Sequence, residues 1–169
     1  MTKLAIVLAV AGAAASQQPP SDLGHLRQII PGHYVYTLNN NTVLFVPRDR
    51  IVYMSEVFFN EEFPNMAGGY GVSWVKVLDA VRALDADIFI PGHGPIPDDP
   101  TQTRAALDRA RQILVDARDA VQGEIAQGAT EDQAVAAITL DQYSKLFAFG
   151  NQREVVLRRI YKELKGTLQ

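Results

Sequence analysis

The chain has 169 residues, with 16 Lys and Arg against 19 Asp and Glu, and a formal net charge of −3 gives no reason to expect nucleic acid or an anionic membrane as partner. It contains no cysteine, which excludes disulfides, thiol nucleophiles and thiolate metal sites, so any metal must be held by His, Asp or Glu. The length suits one domain with a sizeable core, and His25, His33 and His93 are the whole supply of imidazole.

Residues 1–17 have the three parts of a secretory signal: Lys3, the apolar run 4–11, and small residues at 13–15 that offer cleavage near Ala15 or Gln17. The apolar run is too short for a stable membrane span, and the polar, Pro-containing stretch 17–22 breaks a helix. The alternative is an apolar first strand or buried helix. With the leader removed, residues 18–169 form a single domain expected in the periplasm or secreted. No internal repeat and no phosphate-loop or dinucleotide fingerprint is present.

Strand formers dominate 34–38, after the turn at Pro31-Gly32. Asn39-Asn40-Asn41 marks a turn. Residues 42–46 and 51–54 then flank Pro47-Arg48-Asp49-Arg50, the pattern of an antiparallel hairpin. Both strands are nearly continuous in apolar residues, which predicts burial on both faces. From Ser73 the period becomes helical, with Trp74, Val77, Leu78 and Val81 on one stripe, after a loop containing Gly68, Gly69 and Gly71. A short buried strand at 87–90 follows. The region 98–169 reads as helical. A helix over 101–127 carries Leu107, Ala110, Leu114, Ala117, Val121 and Ile125 inward and stops at Gly128. Thr130 with Gln133 forms a capping box for a short helix to Ile138. Asn151 with Glu154 is a looser version for a final helix with Val156, Ile160 and Leu164 inside and Arg158, Lys162 and Lys165 outside.

Two side chains stand out as site candidates. The 87–90 strand breaks into Pro91-Gly92-His93-Gly94-Pro95, where flanking glycines let the backbone turn sharply and let a ligand approach the imidazole. A loop histidine that bonds a neighbouring carbonyl is the alternative. Glu56 stands at the end of the second hairpin strand, a position for a metal-binding carboxylate or for an ordinary solvated one.

The segments 43–64, 74–78 and 84–95, with the first strand 26–36 and the closing helix 152–161, resemble the metallo-β-lactamase superfamily. The resemblance implies an α/β fold, here a truncated or internally deleted αββα sandwich with a helical C-terminal region. It also implies a one- or two-metal site, usually zinc, that activates water for hydrolysis of a small-molecule substrate. His93 falls on the family's last histidine ligand. Glu56 falls on its bridging aspartate, with one extra methylene and with Ser55 where glycine usually precedes. No His-x-His-x-Asp-His segment occurs, and a further histidine expected before the hairpin is missing.

A catalytic zinc needs three protein ligands and an open position for water. The resemblance supplies two here, with His33 as a candidate third because Pro31-Gly32-His33 echoes the later loop; the alternative is a residue that merely precedes the first strand. Three readings result: a hydrolase relative with an incomplete zinc site that is weakly active or inactive alone; a non-catalytic secreted domain for interaction or self-association; or an internal deletion product without selected function. Loss of half a sandwich predicts an uncovered sheet face and a homodimer through it. The few histidines and the lack of a Gly-x-Ser-x-Gly elbow argue against serine nucleophile chemistry.

Overall fold

The computed structural model describes residues 27–30, 33–38 and 41–168, with side chains from residue 42 onward. The leader expectation for 1–17 lies outside the described residues. Five strands, β1 (Arg27–Ile30), β2 (His33–Leu38), β3 (Asn41–Val46), β4 (Ile51–Tyr53) and β5 (Ile88–Ile90), form one sheet in sequential order. Pairs from β1 to β4 are antiparallel, whereas β4 and β5 run parallel. The parallel pair needs a crossover, and α1 (Gly71–Arg82) supplies it. Three more helices follow: α2 (Pro100–Ala126), α3 (Glu131–Ala137) and α4 (Phe149–Leu164). No helix among the described residues is long and apolar enough to cross a membrane.

The β3/β4 hairpin forms as its sequence predicts, with Asp49 and Arg50 amides bonding back to the carbonyls of Val46 and Pro47. Burial on both faces is not what the strands show. Val43, Phe45, Val52 and Phe89 point to one side and are buried, whereas Leu44, Val46, Ile51, Ile88 and Ile90 are half-buried and Tyr53 is exposed. Successive strand side chains alternate between faces, so a continuous apolar run says nothing about whether the second face has a cover. Among the described residues the helices pack on the buried side, with α2 against β5.

On that side α2 packs against α1, α4 and β5. Its predicted stripe is the core: Leu107, Leu114, Ala117 and Val121 are inaccessible or nearly so. Each such Leu or Val contributes about 1.5–3 kcal/mol on burial. Asp99 caps α2 by accepting from the Thr101 amide at 2.9 Å, and Pro100 occupies the first turn, where its missing N–H costs nothing. The Thr130–Gln133 capping box is present at α3.

Two helix starts differ from the expectation. Gly71 belongs to α1 rather than to the loop before it. The cap comes from the far end of the fold, where the Glu163 carboxylate accepts from the amides of Val72 (2.9 Å) and Ser73 (3.0 Å) and from the Ser73 hydroxyl (2.9 Å). A Cβ on Gly71 would lie 2.4 Å from Ile160 Cγ1, so α1 and α4 need glycine there to approach so closely. Asn151 does not cap α4. That helix begins at Phe149 behind Ala148, which has φ 63° and no side-chain cap.

Candidate functional site

β4 and β5 end side by side, and because they run parallel their C-terminal ends deliver two loops to the same edge. That is where ligands commonly bind on parallel strands. The first loop is a tight 3-10 turn, Ser55–Val57, entered through Ser55 at φ 45°. A left-handed backbone favours glycine, which is the residue the superfamily resemblance leads one to expect before the carboxylate. The second loop is Pro91 to Pro95.

The two candidate side chains meet. His93 Nε2 lies 2.8 Å from Glu56 Oε1 across 37 residues of sequence, and both side chains are about half exposed to solvent. The imidazole is held on its flat side by Phe59, with ring centroids 4.6 Å apart and planes 5° from parallel. Phe59 in turn meets Trp74 edge-on at 5.9 Å, and the Trp74 indole donates to the Val57 carbonyl at 2.8 Å. Beneath the rings the two loops pair as a short ladder. The Gly92 amide donates to the Phe58 carbonyl and the Asn60 amide to the His93 carbonyl, both at 3.0 Å. The buried Asn60 side chain donates to the Pro95 carbonyl at 2.7 Å.

This ladder explains the glycines flanking His93. A Cβ on Gly92 would lie 2.1 Å from the Ser55 carbonyl oxygen, and one on Gly94, which has φ 79°, would lie 1.8 Å from that of Asn60. The close approach their sequence predicts is therefore made by the neighbouring backbone. Phe59 and Asn60 carry the support of the imidazole and were not singled out from sequence. The Gly-His-Gly pattern was the available signal, since it implies that some chain must pass within a Cβ radius of the loop.

A carboxylate in hydrogen-bond contact orients an imidazole, here through Nε2. The pair alone falls short of a catalytic zinc centre, which takes three protein ligands and an open position for water, whereas one imidazole and one carboxylate meet here. Among the described residues no group of three or more His, Asp or Glu side chains could hold a metal ion. His33 opens β2 and pairs with Ile30, but its side chain lies outside the described residues.

No family model matches the chain. A linear primary-alkylsulfatase of Pseudomonas sp. (strain ATCC 19151) is 28% identical over 139 residues, covering 75% of this chain and 26% of that protein. Among solved structures, the stereoselective inverting sec-alkylsulfatase Pisa1 from Pseudomonas sp. matches with a TM-score of 0.56 at 15% identity, covering 79% of this chain and 26% of that one. The chain is a distant relative of alkylsulfatases. It spans about a quarter of the length of each alkylsulfatase it matches. Alkylsulfatases have the metallo-β-lactamase fold, so the superfamily resemblance holds for part of that fold.

Proposed function

We propose that this chain is a metallo-β-lactamase-fold hydrolase relative with an incomplete metal site, weakly active or inactive alone in hydrolysis by metal-activated water. The observation that carries the reading is the direct Glu56–His93 hydrogen bond with no third donor of suitable type converging on it among the described residues. A divalent ion held by one imidazole and one carboxylate would have to break that bond first, and would lack the third ligand a catalytic zinc uses. The substrate class to test is a sulfate ester of a primary alcohol, from the name of the related enzyme.

The experiment is elemental analysis of protein purified without chelator, then calorimetric zinc titration and a sulfate-release assay on dodecyl sulfate. Wild type and His93→Ala are compared throughout. The expected result is less than one zinc per chain, weak binding that His93→Ala removes, and sulfate release no faster than in that variant. One tightly bound zinc per chain together with His93-dependent sulfate release would refute the proposal.

A further inference from the structure

The helix that crosses from β4 to β5 reaches both halves of the site with one side chain. Trp74, the fourth residue of α1 and the single tryptophan of the chain, is buried. Its indole N–H donates to the Val57 carbonyl at 2.8 Å, one residue after Glu56. Its ring meets Phe59 edge-on, and Phe59 lies flat against the His93 imidazole. We propose that Trp74 is the positioning residue of the Glu56–His93 pair: its hydrogen bond sets the turn that carries the carboxylate, and its ring, through Phe59, sets the plane of the imidazole. The inference rests on the Glu56–His93 contact behind the proposed function, and not on whether that pair takes a metal.

The Glu56 turn is weakly held by its own bonds. Ser55 has φ 45°, a left-handed conformation that a residue with a Cβ takes at a cost and keeps only where its surroundings impose it. Within the turn the Val57 amide donates to the Met54 carbonyl at 2.9 Å, but the Phe58 amide reaches the Ser55 carbonyl only at 3.4 Å. Val57 is buried, and the indole gives its carbonyl a partner where water has little access.

On the other loop, the ladder with Asn60 fixes the backbone of His93 but leaves the imidazole free to rotate about its side-chain bonds. A flat neighbour removes that freedom, and the Phe59 plane lies 5° from parallel to the imidazole. Phe59 is itself buried against the edge of the indole, an arrangement that aromatic pairs favour. Trp74 is a firm base for both contacts. Its amide donates to the Tyr70 carbonyl at 2.8 Å, and the two amides before it are held by the Glu163 carboxylate of α4.

The test is the reaction of the full chain with diethyl pyrocarbonate at constant pH, with the rate at each histidine read by peptide mass spectrometry. The reagent acylates a free imidazole nitrogen, and His25 and His33 serve as internal references. Glu56→Ala should raise the relative rate at His93 by about 2- to 10-fold, the factor that one lost hydrogen bond represents. Trp74→Phe keeps a ring without the donor and should raise it too, with an unchanged circular dichroism spectrum. Tyr161→Phe is the control for general loosening. It removes a bond of the same kind, from the Tyr161 hydroxyl to the Ala129 carbonyl at 2.8 Å, and should melt lower with the His93 rate unmoved.

A second readout needs no change at Trp74. Coupling between two sites is reciprocal, so the single indole N–H resonance of nitrogen-15-labelled protein should shift in Glu56→Ala and in His93→Ala, both at half-exposed side chains, and stay in place in Tyr161→Phe. Three results would each overturn the role of Trp74 alone: a wild-type His93 rate in folded Trp74→Phe while Glu56→Ala raises it; an equal rise in Tyr161→Phe; or an indole resonance indifferent to both site variants. A His93 rate that Glu56→Ala leaves unchanged would remove the contact itself, and with it both this inference and the observation behind the proposed function.

Discussion

Replacing Gly94 with alanine should detach the His93 loop from the segment that supports it. The new Cβ would start 1.8 Å from the Asn60 carbonyl oxygen, and real Cβ contacts essentially never fall below 3.0 Å, so the two backbones must part by at least about 1.2 Å. That movement breaks the Asn60 amide bond to the His93 carbonyl and the Asn60 side-chain bond to Pro95. Asn60 is 4% exposed, so its unpaired groups cost about 1–3 kcal/mol. Holding alanine in the left-handed region at φ 79° adds about 1–2 kcal/mol. The sum is about 2–5 kcal/mol, or roughly 5–20 °C in melting temperature for a domain of this size. Thermal and urea unfolding followed by Trp74 fluorescence would measure it, since that indole bonds Val57 two residues before Phe59. Gly123→Ala is the internal control. It lies in α2 with nothing within 4 Å of its added Cβ, and the same substitution there should stabilise by about 0.5–1 kcal/mol. Equal effects at 94 and 123 would refute the backbone-approach account of the Gly-His-Gly motif.

Glu163→Ala should cost about 1–2 kcal/mol by uncapping α1, with Glu163→Gln recovering part of it, because an amide oxygen still accepts from Val72 or Ser73; chemical denaturation of the three proteins checks this. Asp99 has its carboxyl held below the usual carboxylate range, first by the Thr101 hydroxyl and then by the Thr101 amide. A depressed folded-state value stabilises above the unfolded value near pH 4 and is lost as pH falls through the lower folded value. Asp99→Ala should therefore melt lower than wild type at pH 7, and the gap should close in acid; a gap that is constant from pH 7 to 2 would refute the assignment.

Elements whose determinants lie within a few residues were legible in the sequence. The β3/β4 hairpin, the α2 stripe, and the Thr130–Gln133 box each depend on neighbours in the chain, and each is present as its local pattern requires. Elements set by distant partners were not. Gly71 reads as loop because its cap, Glu163, is about 90 residues away. Asn151 reads as a cap because nothing local signals that Ala148 turns left-handed first. Strand composition alone misread burial for a different reason: a strand buried on one side and a strand buried on both can have the same apolar alphabet, so an uncovered face was expected only from the missing half of the sandwich. At the site, His93 and Glu56 were each visible as candidates from their loops. Their direct contact was not, since it arises from the parallel pairing of β4 with β5.

The reach of Glu163 back to α1 has a consequence during biosynthesis. With 91 residues between the helix start and its carboxylate, and translation at about 5–20 residues per second, roughly 5–20 s pass before the ribosome has even made the group that finishes α1. Throughout that interval α1 is without the carboxylate that caps it and without its α4 partner, so its start is completed only after the C-terminal helix has been made.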